Sequence, residues 1–179
     1  MNDFKYLILG VLFSLILLGC KSDKERIEGK IVQMKSHPVD LCLEKMDSRR
    51  NPLMEGHNKY TLVVYVDSAE CSPCALSKLR FWNPVIESAK KRRLDVAFVF
   101  ILAPKSTEME DVNLELDVTD LQSSIYVDTS FIFRKKNDFI PSEQEYHTFL
   151  LGQDGEILVI GNPLENGKLK AIYKKVVGI

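Results

Sequence analysis

Apolar residues come in two kinds of run along this chain, unbroken and spaced. TLVVYV (61–66) and DVAFVFIL (95–102) are unbroken and rich in β-branched and aromatic side chains, the mark of strands covered on both faces. Between them Ala75, Leu79, Trp82, Ile86 and Ala89 recur at steps of three and four, with Lys78, Arg80, Glu87 and Lys90 opposite. That spacing predicts an amphipathic helix. Asn83-Pro84 lies within it and predicts a bend or break, because proline lacks the N–H a helix interior needs. Strand, helix and strand in this order predict a βαβ unit with a parallel strand pair.

The pattern then weakens and recovers. Residues 104–121 are polar and acidic, with Met109, Val112, Leu116 and Val118 to bury, and predict a loop and a helix. IYVD (125–128) predicts a short strand, and TSFIFRKKN a short helix capped by Thr129 or Ser130. In HTFLLGQDGEILVIG two apolar runs flank Asp154-Gly155, a hairpin signal, since Asp-Gly supplies the positive φ a tight turn needs. After Asn162-Pro163, a last helix is expected over Glu165–Val177, with Leu169, Ile172, Tyr173 and Val176 on one face. Upstream, GKIVQMK (29–35) suggests a short first strand. Residues 36–58, with Pro38 and a brief amphipathic piece around LCLEKM, suggest an irregular or partly helical connection. Together these elements predict an α/β sandwich with a mixed parallel and antiparallel central sheet.

The first twenty residues follow other rules. Lys5 precedes an apolar stretch, Tyr6–Leu18, which suits a signal-peptide core and is short for a membrane span. It ends in Leu17-Leu18-Gly19-Cys20. This resembles the lipobox of bacterial lipoproteins, which implies a signal peptide over 1–19 and lipidation of Cys20. The expected organisation is then a lipidated tether over 20–28, an N-terminal strand and irregular extension over 29–58, and one main domain over 59–179. The mature protein is expected in the cell envelope, anchored to a bacterial membrane outside the cytoplasm, on the periplasmic side. There acyl chains hold it and disulfides persist.

The charge balance, 24 basic against 25 acidic residues, gives no electrostatic footprint for nucleic acid. The short clusters Lys90-Lys91-Arg92-Arg93 and Arg134-Lys135-Lys136 suit helix C-termini, where cations are favoured.

Candidate chemistry centres on AECSPCALS (69–77). Cys71 and Cys74 sit two residues apart, after a strand and before a helix. From the residues alone they are a redox pair, half of a metal site, or two small buried side chains. If Cys20 is lipidated, Cys42 remains as an odd thiol, either buried and inert or a redox partner. A zinc knuckle needs four ligands, and only one such cysteine pair is present; His37 and His57 lie in the segment hardest to read. Trp82 reads as core.

The order of strand, Cys-x-x-Cys at a helix start, strand, then hairpin and C-terminal helix resembles the thioredoxin fold. The extra strand and helix before the hairpin resemble the insertion of the TlpA and ResA type of membrane-tethered thiol–disulfide oxidoreductases, over about residues 59–179. That resemblance implies a three-layer sandwich in which Cys71 attacks and Cys74 resolves through a Cys71–Cys74 disulfide. It also implies exported protein thiols or disulfides as substrates, an upstream redox donor, and no cofactor. Physical chemistry agrees: a thiolate at a helix N-terminus is favoured, Cys74 a turn further in should be shielded, and Pro73 suits an early helical position.

The chain departs from that family at two positions. Glu70 stands where Trp is common, and a carboxylate there opposes the thiolate. His147 stands where a cis-proline opens the hairpin strand, beside Thr148 in the substrate groove. A histidine at that place resembles the copper-binding Sco proteins, although those have three residues between their cysteines. It leaves open a Cu(I) or Zn site made by Cys71, Cys74 and His147. A redox-inactive binding lipoprotein is the third reading.

Overall fold

The computed structural model describes residues 23–49 and 58–179. Expectations for the signal peptide, Cys20, His57 and residues 50–56 lie outside the described residues. The described residues fall into two units, one ending at Val32 and one running from Gln33 to Ile179. Helix α1 (Asp23–Lys35) crosses the boundary between them. It corrects the expected strand over 29–35. Acidic Asp23 and Glu25 in its first turn and Lys35 in its last complement the helix dipole. Lys24–Glu28 (3.8 Å) and Arg26–Asp23 (3.0 Å) pair at helical spacing. Ile31 and Val32 alone are too short a β-branched run to prevail. No helix among the described residues is long and apolar enough to cross a membrane.

The sheet has six strands: β1 (Asp47–Arg49), β2 (Tyr60–Val66), β3 (Val96–Leu102), β4 (Ser124–Val127), β5 (Thr148–Leu151) and β6 (Ile157–Ile160), in the order β1-β4-β3-β2-β5-β6. β2, β3 and β4 run parallel, with Tyr65 opposite Ile101 and Leu102 opposite Val127. β5 lies antiparallel to β2, Thr148 facing Val64, and β6 antiparallel to β5. The edge strand β1 pairs antiparallel with β4. Its sequence, Asp-Ser-Arg, is exposed throughout, so no apolar alternation announced it. The helices are α2 (Ser72–Leu79), α3 (Asn83–Lys91), α4 (Met109–Val118), α5 (Ile132–Lys136) and α6 (Gly167–Val176). The α/β thioredoxin-like sandwich with a mixed central sheet is therefore the fold.

Strand alternation divides the core. Leu62 and Val66 of β2 and Phe98, Phe100 and Leu102 of β3 join Leu76, Leu79, Trp82, Ile86, Val112, Leu116 and Tyr173 in one cluster. Val63, Tyr65, Val99 and Ile101 point to the other face, where Tyr65 meets Phe133 of α5 with ring centroids 4.7 Å apart. Each such buried side chain contributes about 1.5–3 kcal/mol. Asn83-Pro84 acts as anticipated. α2 stops at Leu79, a 3-10 turn covers Arg80–Trp82, and α3 restarts with its proline in the first turn. The hairpin turns through Gly155, φ +79°, where a Cβ would lie 2.9 Å from the Val39 carbonyl oxygen.

Three smaller expectations change. Val118 and Ile172 are exposed: at about 100° per residue Val118 lies on the far side of its helix from Val112 and Leu116, and Ile172 lies at the edge of its helix's apolar stripe. The last helix starts at Gly167 rather than Glu165, with the Asn166 side chain accepting from the Lys168 and Leu169 amides. α5 is capped neither by Thr129 nor by Ser130. Phe131 holds the cap position with φ 54°, and the buried Asp128 carboxylate accepts from Ile132 N at 2.9 Å and Phe133 N at 2.8 Å. Asp128→Ala is expected to lower stability by about 1–3 kcal/mol. Thr129→Ala should stay within about 0.5 kcal/mol of wild type; denaturant midpoints check both.

Candidate functional site

The site grows from the end of β2. Asp67 turns the chain: its carboxylate accepts from Ala69 N at 2.9 Å and from the Tyr65 hydroxyl at 3.1 Å, and its carbonyl accepts from Glu70 N at 2.9 Å. Cys71 then caps α2 in an extended conformation, with Pro73 in the first turn. Its sulfur accepts from the Cys74 amide at 3.4 Å, so it lies at the positive end of the helix. Cys71 and Cys74 form a disulfide, Cα atoms 5.3 Å apart. Such a pair is suited to thiol–disulfide exchange.

Both cysteines are exposed, which corrects the expectation that Cys74 is shielded. The buried face of α2 carries Ser72, Leu76 and Leu79. At about 100° per residue, Cys74 is turned well away from both Ser72 and Leu76. Ser72 is fully buried, and its hydroxyl has no partner among the described residues.

His147 directly precedes β5, where its position in the sequence put it. Its backbone carbonyl accepts from Tyr65 N at 2.8 Å. The described residues contain no cis peptide, so His147 enters the strand through a trans bond. Its ring is buried, 2% exposed. Nδ1 lies 3.2 Å from Glu70 Oε1, and Nε2 lies 3.0 Å from the Pro141 carbonyl oxygen. The Tyr65 ring meets the imidazole edge-on at 5.2 Å. Glu70 also accepts from Gln144 Nε2 at 2.6 Å and from Asp67 N at 3.2 Å. Its carboxylate is thus engaged by the segment before β5 rather than free beside the cysteine.

Both ring nitrogens of His147 are therefore occupied. Among the described residues no group of three or more His, Cys, Asp or Glu side chains is placed to hold a metal ion. His37 sits elsewhere, its Nδ1 2.8 Å from Ser36 Oγ and its ring 5.2 Å from Phe139. A groove of about 350 Å³ runs beside α2, lined in part by Glu70, Ala75, Lys78, Trp82, Gln144 and Thr148. Thr148 is thus at a groove wall. Trp82 is core as read, 3% exposed and edge-on to Phe100, while also closing this groove. Gln144 was missed, and no local pattern marks it; only its distance upstream of the hairpin strand could have suggested it.

No protein-family model and no curated protein matches the chain. Solved structures do. A thioredoxin-like protein from Porphyromonas gingivalis aligns over 69% of this chain and 77% of its own, at 15% identity and TM-score 0.46. A thioredoxin-like protein from Bacteroides caccae aligns over 92% of this chain and 59% of its own, at 12% identity and TM-score 0.49. The thioredoxin domain of a thiol-disulfide oxidoreductase from Bacteroides vulgatus aligns over 68% and 81%, at 16% identity and TM-score 0.47. Strand order and register, not these likenesses, fix the fold.

Cys42 stands apart from this site. It is a free thiol, 3% exposed, in a left-handed conformation, φ 49°. Burial, followed by the hydrogen bond to Asp40, pushes it up to about 11. The unfolded thiol ionises lower, near 8.5. Between these values the folded state therefore holds more protons than the unfolded state, and stability falls as pH rises across that window. The wild type is expected to lose stability relative to Cys42→Ala between about pH 8 and pH 10.5. Denaturation midpoints of both proteins at the two pH values measure it, and Cys42 should label only once the chain unfolds.

Proposed function

We propose that this protein is a lipid-anchored, extracytoplasmic thiol–disulfide oxidoreductase of the TlpA and ResA kind, working on disulfides or thiols of exported proteins. One observation carries the reading: an exposed Cys71–Cys74 disulfide at the first turn of α2, with the Cys71 sulfur as helix cap. Tethering rests on Leu17-Leu18-Gly19-Cys20.

The reaction starts from the reduced pair. The Cys71 thiolate attacks one sulfur of a partner disulfide and the partner's other sulfur leaves as a thiolate, which takes a proton. A mixed disulfide now joins Cys71 to the partner. Cys74, as thiolate, attacks the Cys71 sulfur and the partner's second thiolate departs. The partner disulfide has gained two electrons and two protons, and the pair has become the disulfide seen here. A dithiol donor reverses the second half to recharge it. Exposure of Cys71 admits a macromolecular partner, and the helix terminus stabilises both the attacking and the departing thiolate. Exposure of Cys74 also leaves the resolving sulfur open to bulk thiols.

Glutathione titration of the full chain, with Cys71 and Cys74 alkylation read by peptide mass spectrometry, should show one two-electron transition. A midpoint near about −270 mV indicates a reductant and one near about −120 mV an oxidant. Cys74→Ser should trap mixed disulfides, and Cys71→Ser should abolish turnover. Turnover surviving in Cys71→Ser, or two thiols that stay reduced across the series, defeats the proposal.

A further inference from the structure

We propose that Glu70 and His147 act as one coupled positioning unit that neutralises the carboxylate next to Cys71 and so keeps the Cys71 thiolate accessible at neutral pH. The starting point is proximity in sequence. Glu70 is bonded to Cys71 through a single peptide, and a free carboxylate there disfavours a neighbouring thiolate. In the fold that carboxylate is tied down. Oε1 accepts from Asp67 N and faces His147 Nδ1, while Oε2 accepts from Gln144 Nε2.

Hydrogen-bond chemistry then fixes the charge of the unit. The Pro141 carbonyl oxygen is only an acceptor, so His147 Nε2, 3.0 Å away, carries a hydrogen. Nδ1 faces a carboxylate oxygen at 3.2 Å. Two lone pairs in contact there repel, so that contact also holds a hydrogen. The hydrogen resides on the ring, giving an imidazolium–carboxylate pair, or on the carboxyl, giving two neutral groups. In both cases the net charge of Glu70 plus His147 is zero.

The groups around it are few. Asp67 lies on the Glu70 side and also receives the Tyr65 hydroxyl. The Tyr65 ring meets the imidazole edge-on. Arg134 donates to the same Pro141 carbonyl, at 3.4 Å. Lys78 lines the groove shared by Glu70 and Gln144. With the ring 2% and Glu70 16% exposed in their side chains, solvent screens the contact weakly.

The consequence for turnover rests on the oxidoreductase reading, whereas the consequence for thiol reactivity does not. The test is therefore the rate at which Cys71 in the reduced full chain reacts with iodoacetamide against pH, read by peptide mass spectrometry. His147→Asn keeps a hydrogen-bonding side chain but has no group that can take up a proton. It is expected to slow Cys71 alkylation about tenfold at neutral pH and to move the profile up by about one pH unit. Glu70→Gln should stay within about twofold of wild type. The double variant should return to the Glu70→Gln rate, a non-additivity that loss of packing does not produce. A His147→Asn profile that overlays wild type, or a double variant as slow as His147→Asn, overturns the proposal. Nitrogen and carbon NMR of His147 and Glu70 in the unmodified protein decides it without substitution. A ring with one N–H beside an ionised Glu70 overturns it, and two N–H groups or a protonated Glu70 support it. If glutathione titration shows no transition while His147→Asn still slows alkylation, the unit stands and the oxidoreductase reading falls.

Discussion

The hydrogen bond from Tyr65 N to the His147 carbonyl, 2.8 Å, continues the antiparallel pairing of β2 with β5 and sets the spacing of the two segments that make the site. One residue beyond Tyr65, β2 ends and the chain turns through Asp67 toward the cysteines. One residue before Thr148, the chain is still in the turn that brings Pro141 and Gln144 alongside. The first segment has no regular structure of its own and the second only a 3-10 turn over Gln144–Tyr146. The sheet supplies the rigidity, because β2 is central, bonded to β3 on one side and β5 on the other, and carries core residues on both faces. A site on the flank of such a strand inherits its precision.

The chemistry of the pair depends on that placement in two opposing ways. The helix N-terminus favours a Cys71 thiolate. Glu70 opposes it by sequence, and the fold answers by drawing the carboxylate toward His147 and Gln144. Cys42 shows the other extreme. It is buried, bonded to Asp40 and pushed up to about 11, so its thiolate is scarce at neutral pH. Two cysteines of the same chain thus differ in exposure and local field, the properties that set thiol reactivity.

Much of the fold was legible because its central elements are apolar in ways that only strands or helices explain. β2 and β3 are unbroken runs, α2 and α3 share one stripe, and Asp154-Gly155 marks the turn between β5 and β6. What stayed hidden was polar. β1 is Asp-Ser-Arg, held by backbone pairing that no side-chain pattern reports. α1 is polar, with exposed ion pairs at helical spacing, and its two β-branched residues suggested a strand instead. Asp128 caps α5 from outside the segment that reads as a helix. At the site, the cysteine pair and the place of His147 were visible, since both follow from element order. The partnership of His147 with Glu70 was not, since it joins residues 77 apart in sequence and depends on the β2–β5 register.

That partnership changes how the two departures from the thioredoxin-like pattern are understood. Considered singly, each is unfavourable. A carboxylate beside a nucleophilic thiol disfavours the thiolate, and an imidazole with 2% of its surface exposed is costly to bury unless its nitrogens are bonded. Considered together, each removes the other's cost. Glu70 occupies one ring nitrogen and the Pro141 carbonyl the other, while the histidine answers the carboxylate's charge. A chain with only one of the two residues would carry a buried polar group without its partner, the more damaging condition in a low-dielectric site. Glu70 and His147 are therefore best regarded as one feature written at two places in the sequence.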